Sequence, residues 1–84
     1  MAGDQITVRY FAGARAAAGV STETAPSGLS VDDLAQTLTD RHGERLATVL
    51  KVASLLVNGL IWHDRRAPLP AGATVDVLPP FAGG

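Results

Sequence analysis

Apolar and polar residues alternate strictly near the start of the chain, in Gln5-Ile6-Thr7-Val8-Arg9-Tyr10-Phe11. Ile6, Val8 and Tyr10 share one parity; Thr7, Arg9 and Phe11 share the other. A period of two is that of a strand buried on one face, and it places Ile6, Val8 and Tyr10 in the core. The alternation gives way to an alanine cluster, Ala12 to Ala18, followed by Gly19. Alanine is the best helix former and glycine ends helices cheaply, so a short helix is expected here. A short polar strand, Val20 to Ala25, follows and is stopped by Pro26-Ser27-Gly28.

At Ser30 the period becomes helical. Val31, Leu34, Ala35 and Leu38 fall at i, i+3, i+4 and i+7, a single apolar stripe. Ser30 suits the N-cap, and Asp32 and Asp33 suit the positive helix start. His42-Gly43 closes this main helix. Glu44 to Leu50 reads as a further helical piece with Leu46, Val49 and Leu50 inward. Leu55-Leu56-Val57 is a strand ended by the turn pair Asn58-Gly59. Leu60 to Arg66 fits an edge strand or an ordered loop equally well. Pro70-Ala71-Gly72 is a turn, and Thr74 to Leu78 is the last strand, with Val75 and Val77 inward. Pro79-Pro80 stops sheet pairing because proline has no N–H to give a ladder. The layout is one domain, residues 1–80, with Phe81-Ala82-Gly83-Gly84 projecting as a flexible tail. Strands arranged around one main helix indicate an α+β domain, the helix packed across a single sheet.

Composition narrows the function. In 84 residues, 46% hydrophobic content suffices for one packed core and exceeds that of disordered chains. Seven basic residues face eight acidic ones, so the cationic excess of a general nucleic-acid binder is missing. The lack of cysteine excludes a disulfide scaffold, a thiolate metal site and a cysteine nucleophile. No run of about 18 apolar residues is present, so no membrane partner is expected. Met1 to Gln5 does not read as a signal peptide, and a cytoplasmic location is the expectation.

Most catalytic patterns fail as well. Lys51, the only lysine, lacks the glycine context of a phosphate loop, and Gly13 and Gly19 lack dinucleotide spacing. His63 and Asp64 are neighbours that point to opposite faces of an extended segment, which suits a solvated loop. Asp32, Asp33, Asp40 and Glu44 fit a charged helix face better than a metal cluster, so no metal is expected. Trp62 stands alone and reads as packing. The remaining feature is Gly83-Gly84. It could be a frayed end or an appended scar. Behind a stiff Pro79-Pro80 spacer, however, two residues without side chains can thread a narrow channel and present one group, the α-carboxylate of Gly84. With a reference pKa of about 3.3–3.7 that group is an anionic nucleophile at neutral pH. Attack on the α-phosphorus of ATP would make it an acyl-adenylate, which a sulfur nucleophile can open.

Val8-Arg9-Tyr10-Phe11-Ala12, with Arg15 and Gly19, resembles the start of the MoaD/ThiS sulfur-carrier family. Leu56-Val57-Asn58-Gly59 and the run from Leu69 to Gly84 resemble its second half, so the likeness covers nearly the whole chain. The ending Leu78-Pro79-Pro80-Phe81-Ala82-Gly83-Gly84 is similar to that of the molybdopterin synthase branch. Carriers of the thiamine branch are usually shorter and lack the Arg-Tyr-Phe-Ala type of opening. Ala16 departs from the molybdopterin pattern, which often has glutamate there, and a third branch, serving cysteine synthesis, shares the diglycine end.

The resemblance implies a ubiquitin-like β-grasp fold with a mixed sheet whose first and last strands are parallel neighbours at its centre. It implies a MoeB-type adenylating enzyme that uses ATP to activate Gly84, and a sulfur donor that makes the thiocarboxylate. In the molybdopterin branch it further implies a MoaE-type large subunit in a heterotetramer. No cofactor bound by this chain is implied, and the catalytic side chains belong to the partners. Given parallel pairing, Phe11 and Leu78 emerge together on the face turned away from the core, with Ile61 as a third member. The competing reading folds Phe11 back under the alanine helix. Phe11, Ile61, Leu78, Pro79, Pro80, Phe81 and Ala82 are therefore the expected partner-binding residues, and Gly83 and Gly84 the reactive end. The alternative class is a non-catalytic β-grasp interaction module, or a modifier joined to lysines.

Overall fold

Strict alternation does produce a strand: β1 (Gln5–Tyr10) buries Ile6, Val8 and Tyr10 and leaves the other parity open. The computed structural model describes residues 5–80, so the expectations for residues 81–84 lie outside the described residues. The alanine cluster forms α1 (Gly13–Ala18), ended by Gly19 in the left-handed conformation at φ 80° with its N–H donated to the Arg15 carbonyl. The polar strand is β2 (Thr22–Pro26). It begins two residues later than the pattern suggests, because Val20 lies in the bend after α1 and is 40% exposed.

The main helix is α2 (Val31–His42). The Ser30 hydroxyl caps it by accepting from the Asp33 N–H at 3.1 Å, and Val31, Leu34 and Leu38 face inward. A second helix, α3 (Glu44–Val52), turns back against it and buries Leu46 and Leu50. β3 (Ser54–Val57) and β4 (Leu60–Ile61) form a hairpin over Asn58 and Gly59, both at positive φ, as a two-residue turn of this type requires. The ambiguous segment thus divides into two strand residues and a loop. In that loop the Asp64 carboxylate accepts from the N–H groups of Arg66 and Ala67. β5 (Thr74–Leu78) is the last strand.

The strand order is β2-β1-β5-β3-β4. β1 and β5 pair in parallel, while β2 on β1, β3 on β5 and β4 on β3 pair antiparallel. Ile6, Val8, Val75, Val77 and Val57 meet the apolar stripes of α1, α2 and α3 in one core. The helices thus occupy one face of the mixed sheet, and the opposite parity forms a face that no helix covers among the described residues. This is the α+β, ubiquitin-like β-grasp arrangement. Among the described residues no helix is long and apolar enough to cross a membrane.

Candidate functional site

The uncovered face is ordered by register. Thr22 lies opposite Arg9, Arg9 opposite Asp76, Asp76 opposite Leu56, and Leu56 opposite Ile61, a continuous row across all five strands. Beyond it, the Phe11 N–H donates to the Val77 carbonyl at 3.3 Å, so parallel pairing runs one residue past the end of β1. Phe11 is 37% exposed, which places it on the open face rather than beneath α1. Leu78 is half-buried opposite Ser54, and Ile61 is 62% exposed on the edge strand. The structure therefore brings Phe11, Leu78 and Ile61 to one face and adds the half-buried Leu56 between them. Parity could have shown Leu56, because Leu55 and Val57 on either side of it take the core parity.

A charged pair lies in the same row, with Leu56 beside Asp76 and Thr22 beside Arg9. The Arg9 guanidinium donates from Nε to Asp76 Oδ1 at 2.6 Å and from Nη2 to Oδ2 at 2.8 Å, a two-pronged geometry. The Asp76 side chain is 11% exposed and that of Arg9 50% exposed, so the acid lies inside and the base outside. Hydrogen bonding to Asp76, and then its charge, raise the Arg9 pKa above its ordinary value. The guanidinium also lies over the Phe11 ring, 5.7 Å from its centroid. Alternation gave no sign of this pair, since register across strands 67 residues apart is set by tertiary pairing.

Pro79 and Pro80 behave differently from one another. Pro79 is buried and Pro80 is exposed, so only the second stands clear of the domain. Pro79 thus belongs to the packed domain rather than to a surface open to partners. Phe81, Ala82, Gly83 and Gly84 lie outside the described residues.

A second polar cluster lies at the other edge of the sheet. Glu23 on β2 accepts from the Tyr10 hydroxyl at 2.5 Å and from Arg41 Nη1 at 3.0 Å, and its Oε2 is 2.5 Å from His42 Nε2. Burial alone would raise the Glu23 pKa; the hydrogen bonds from Tyr10, His42 and Arg41 outweigh it, and the net shift is downward. Burial, then the bond to Glu23, push the Tyr10 hydroxyl well above its ordinary value. With its oxygens occupied, Glu23 ties α2 to the β1–β2 edge and is not placed as a general base. Asp32 is paired with Arg65 at 2.7 Å, and His63 and Asp64 are exposed loop residues. Among the described residues, no group of three histidine, cysteine, aspartate or glutamate side chains is set to hold a metal. The apolar cavity between α2, α3 and the sheet, lined by Leu34, Leu38, Leu50 and Val77, measures about 10 Å³. The surface groove between α2 and α3, about 230 Å³, is an open channel.

The fold recurs in known proteins. The family model described as "ThiS family" matches residues 8–84. A putative molybdopterin converting factor subunit 1 from Pyrococcus furiosus has 29% identity and a TM-score of 0.72, with 90% of this chain and 97% of that chain covered. The small archaeal modifier protein 1 from Methanosarcina acetivorans has 23% identity and a TM-score of 0.72, with 95% and 96% covered. The complex of subunits 1 and 2 of the molybdopterin-converting factor from Helicobacter pylori supplies a further match, at 22% identity and a TM-score of 0.70, with 95% and 99% covered. The last two likenesses establish the shared fold. No curated protein matches the sequence.

Proposed function

Because this chain belongs to the ThiS family, whose members are ubiquitin-like sulfur carriers, we propose that it carries sulfur as a thiocarboxylate on Gly84 and donates it in molybdopterin synthesis. One observation carries the reading: the family match runs through Gly84, so the diglycine lies inside the matched region rather than appended to it. The chemistry needs no side chain from this protein. The Gly84 carboxylate attacks the α-phosphorus of ATP within a MoeB-type adenylating enzyme, and pyrophosphate leaves. A sulfur nucleophile then attacks the acyl-adenylate and AMP leaves. One carboxylate oxygen is replaced by sulfur, and the thiocarboxylate is the form that gives sulfur up. ATP is thus a substrate on the partner, and a cytoplasmic location accords with its use.

The choice of the molybdopterin branch is supported by the 29% identity to the Pyrococcus furiosus protein. That reading assigns a MoaE-type large subunit as partner, in a heterotetramer, with Phe11, Leu56, Ile61 and Leu78 as the docking face. Pro80 would direct residues 81–84 into the partner. Carriage for thiamine or cysteine synthesis is the nearest alternative. Use as a protein modifier is a second alternative; the small archaeal modifier protein 1 shares the fold of this chain.

Intact mass after incubation with the adenylating enzyme, ATP and a sulfur source tests the reading. A gain of about 16 Da, lost on adding the large subunit and its pterin substrate, is the expected result. Attachment to lysines of other proteins would instead establish the modifier. Deleting Gly84, or extending the chain by one residue, should abolish the gain while leaving the melting temperature unchanged. Full activity in a form with an uncleaved C-terminal extension would overturn the assignment of Gly84.

A further inference from the structure

We propose that Arg9 is the specificity element of the open sheet face, admitting a protein partner that sets a carboxylate against its guanidinium and rejecting uncharged apolar surfaces, a second copy of this chain included. The inference rests on the docking face proposed above and adds the chemistry of what must cover it.

A guanidinium has five N–H donors, and Asp76 accepts two of them. Asp76 is the only hydrogen-bond acceptor of Arg9 found among the described residues. The pair is also asymmetric, with the acid inside and half of the Arg9 side chain exposed, so the face shows outward a cation with unused donors. Held by Asp76 on one side and the Phe11 ring on the other, this cation is ordered before any partner arrives. The Phe11 ring lies against it, Leu56 and Ile61 follow Asp76 along the same row, and Thr22 borders it on the other side, so a protein surface that covers the apolar residues reaches the guanidinium at their margin.

An apolar surface would leave those N–H groups buried without acceptors, which costs more than the contact returns. A carboxylate at the same place accepts them with a charge-assisted bond. The same face of a second copy supplies none. The outward parity carries Thr7 and Arg9 on β1, Thr22 and Thr24 on β2, Thr74, Asp76 and Leu78 on β5, Ser54 and Leu56 on β3, and Ile61 on β4. Asp76 is the only carboxylate among these described residues, and it is already engaged. Face-to-face pairing of two copies would therefore set cation against cation, which opposes self-association through this face while leaving the apolar surface available to an acidic partner.

The test replaces the pair without leaving a buried charge. In the full chain, Arg9→Leu combined with Asp76→Leu keeps the volume apolar; Arg9→Gln combined with Asp76→Asn is the polar control should the first variant fail to fold. Sedimentation velocity should find the unaltered chain monomeric and the leucine pair self-associating. Calorimetric titration with the adenylating enzyme from the same organism should show affinity falling roughly tenfold or more in both double variants, with a shallower salt dependence. Tighter or equal binding by the leucine pair, or self-association of the unaltered chain, would overturn the proposal. Phe11→Ala separates the two levels of inference. If Phe11→Ala leaves affinity unchanged, the docking face itself is misassigned; if it weakens binding while the double variants do not, only the role of Arg9 fails.

Discussion

Two single residues carry conformational or electrostatic stress that sequence patterning does not show. Asp76 is nearly buried and depends on Arg9, whereas Arg9 reaches solvent without Asp76. Arg9→Leu should therefore lower the melting temperature more than Asp76→Leu, because it strands a buried carboxylate while the reverse change frees an exposed cation. Equal losses in thermal melts would show that the pair is not asymmetric. Ala12 joins β1 to α1 at φ 50°, a backbone conformation that glycine adopts without strain. Ala16 is an exposed position within the same helix. Ala16→Gly should cost about 1 kcal/mol in denaturant unfolding, the ordinary helix penalty, whereas Ala12→Gly should cost nothing or stabilise. The alanine cluster from Ala12 to Ala18, interrupted by Gly13 and Arg15, reads as a short helix in the sequence. Its first member is in fact the turn, since the chain must reverse to lay α1 against the core, and only tertiary geometry makes that demand.

Elements were legible wherever local periodicity and packing agree. Ile6, Val8 and Tyr10 announced β1, the stripe from Val31 to Leu38 announced α2, and Ser30 and Gly19 marked real ends. Leu60 to Arg66 stayed ambiguous because its strand is two residues long and held from one side only. The contacts between elements were not legible, and the Glu23 cluster is the clearest instance. It joins β1, β2 and the end of α2 through hydrogen bonds that no spacing encodes. Its pH behaviour follows from the two shifts. A carboxyl lowered on folding gives stability that is present above its unfolded value and lost as pH falls through the folded one, so the acid limb lies below about pH 4. A phenol raised on folding gives stability that is complete below about pH 10 and declines above it. Glu23→Gln should flatten the acid limb and Tyr10→Phe the alkaline limb of stability measured against pH. Unchanged limbs would place the titration elsewhere. Arg41 has a second task here, donating to the Thr24 carbonyl at 2.6 Å on edge strand β2. A capped carbonyl blocks the addition of another strand. Arg41→Ala should therefore speed aggregation under native conditions, followed by light scattering, by more than its loss of stability explains.

For the whole molecule, the decisive fact is that the last strand is a central one. β5 bonds to β1 on one side and β3 on the other, and Val75 and Val77 lie in the middle of the core. A chain ending at Ala73 should show no cooperative thermal transition, while a chain ending at Pro80 should melt like the full one. A cooperative melt in the shorter chain would show that the helices and β1–β2 hold together unaided. The open face follows from the same topology, as α1, α2 and α3 all lie on one side of the sheet. During synthesis this arrangement imposes an order in time. A growing chain can pair β1 with β2 early, but β1 and β3 have nothing between them until residues 74–78 are made. Folding therefore waits for β5, and a product released before it presents an unfinished sheet to the proteases that clear such chains. Folding itself thus serves as proofreading: a molecule that passes has been translated through residues 74–78.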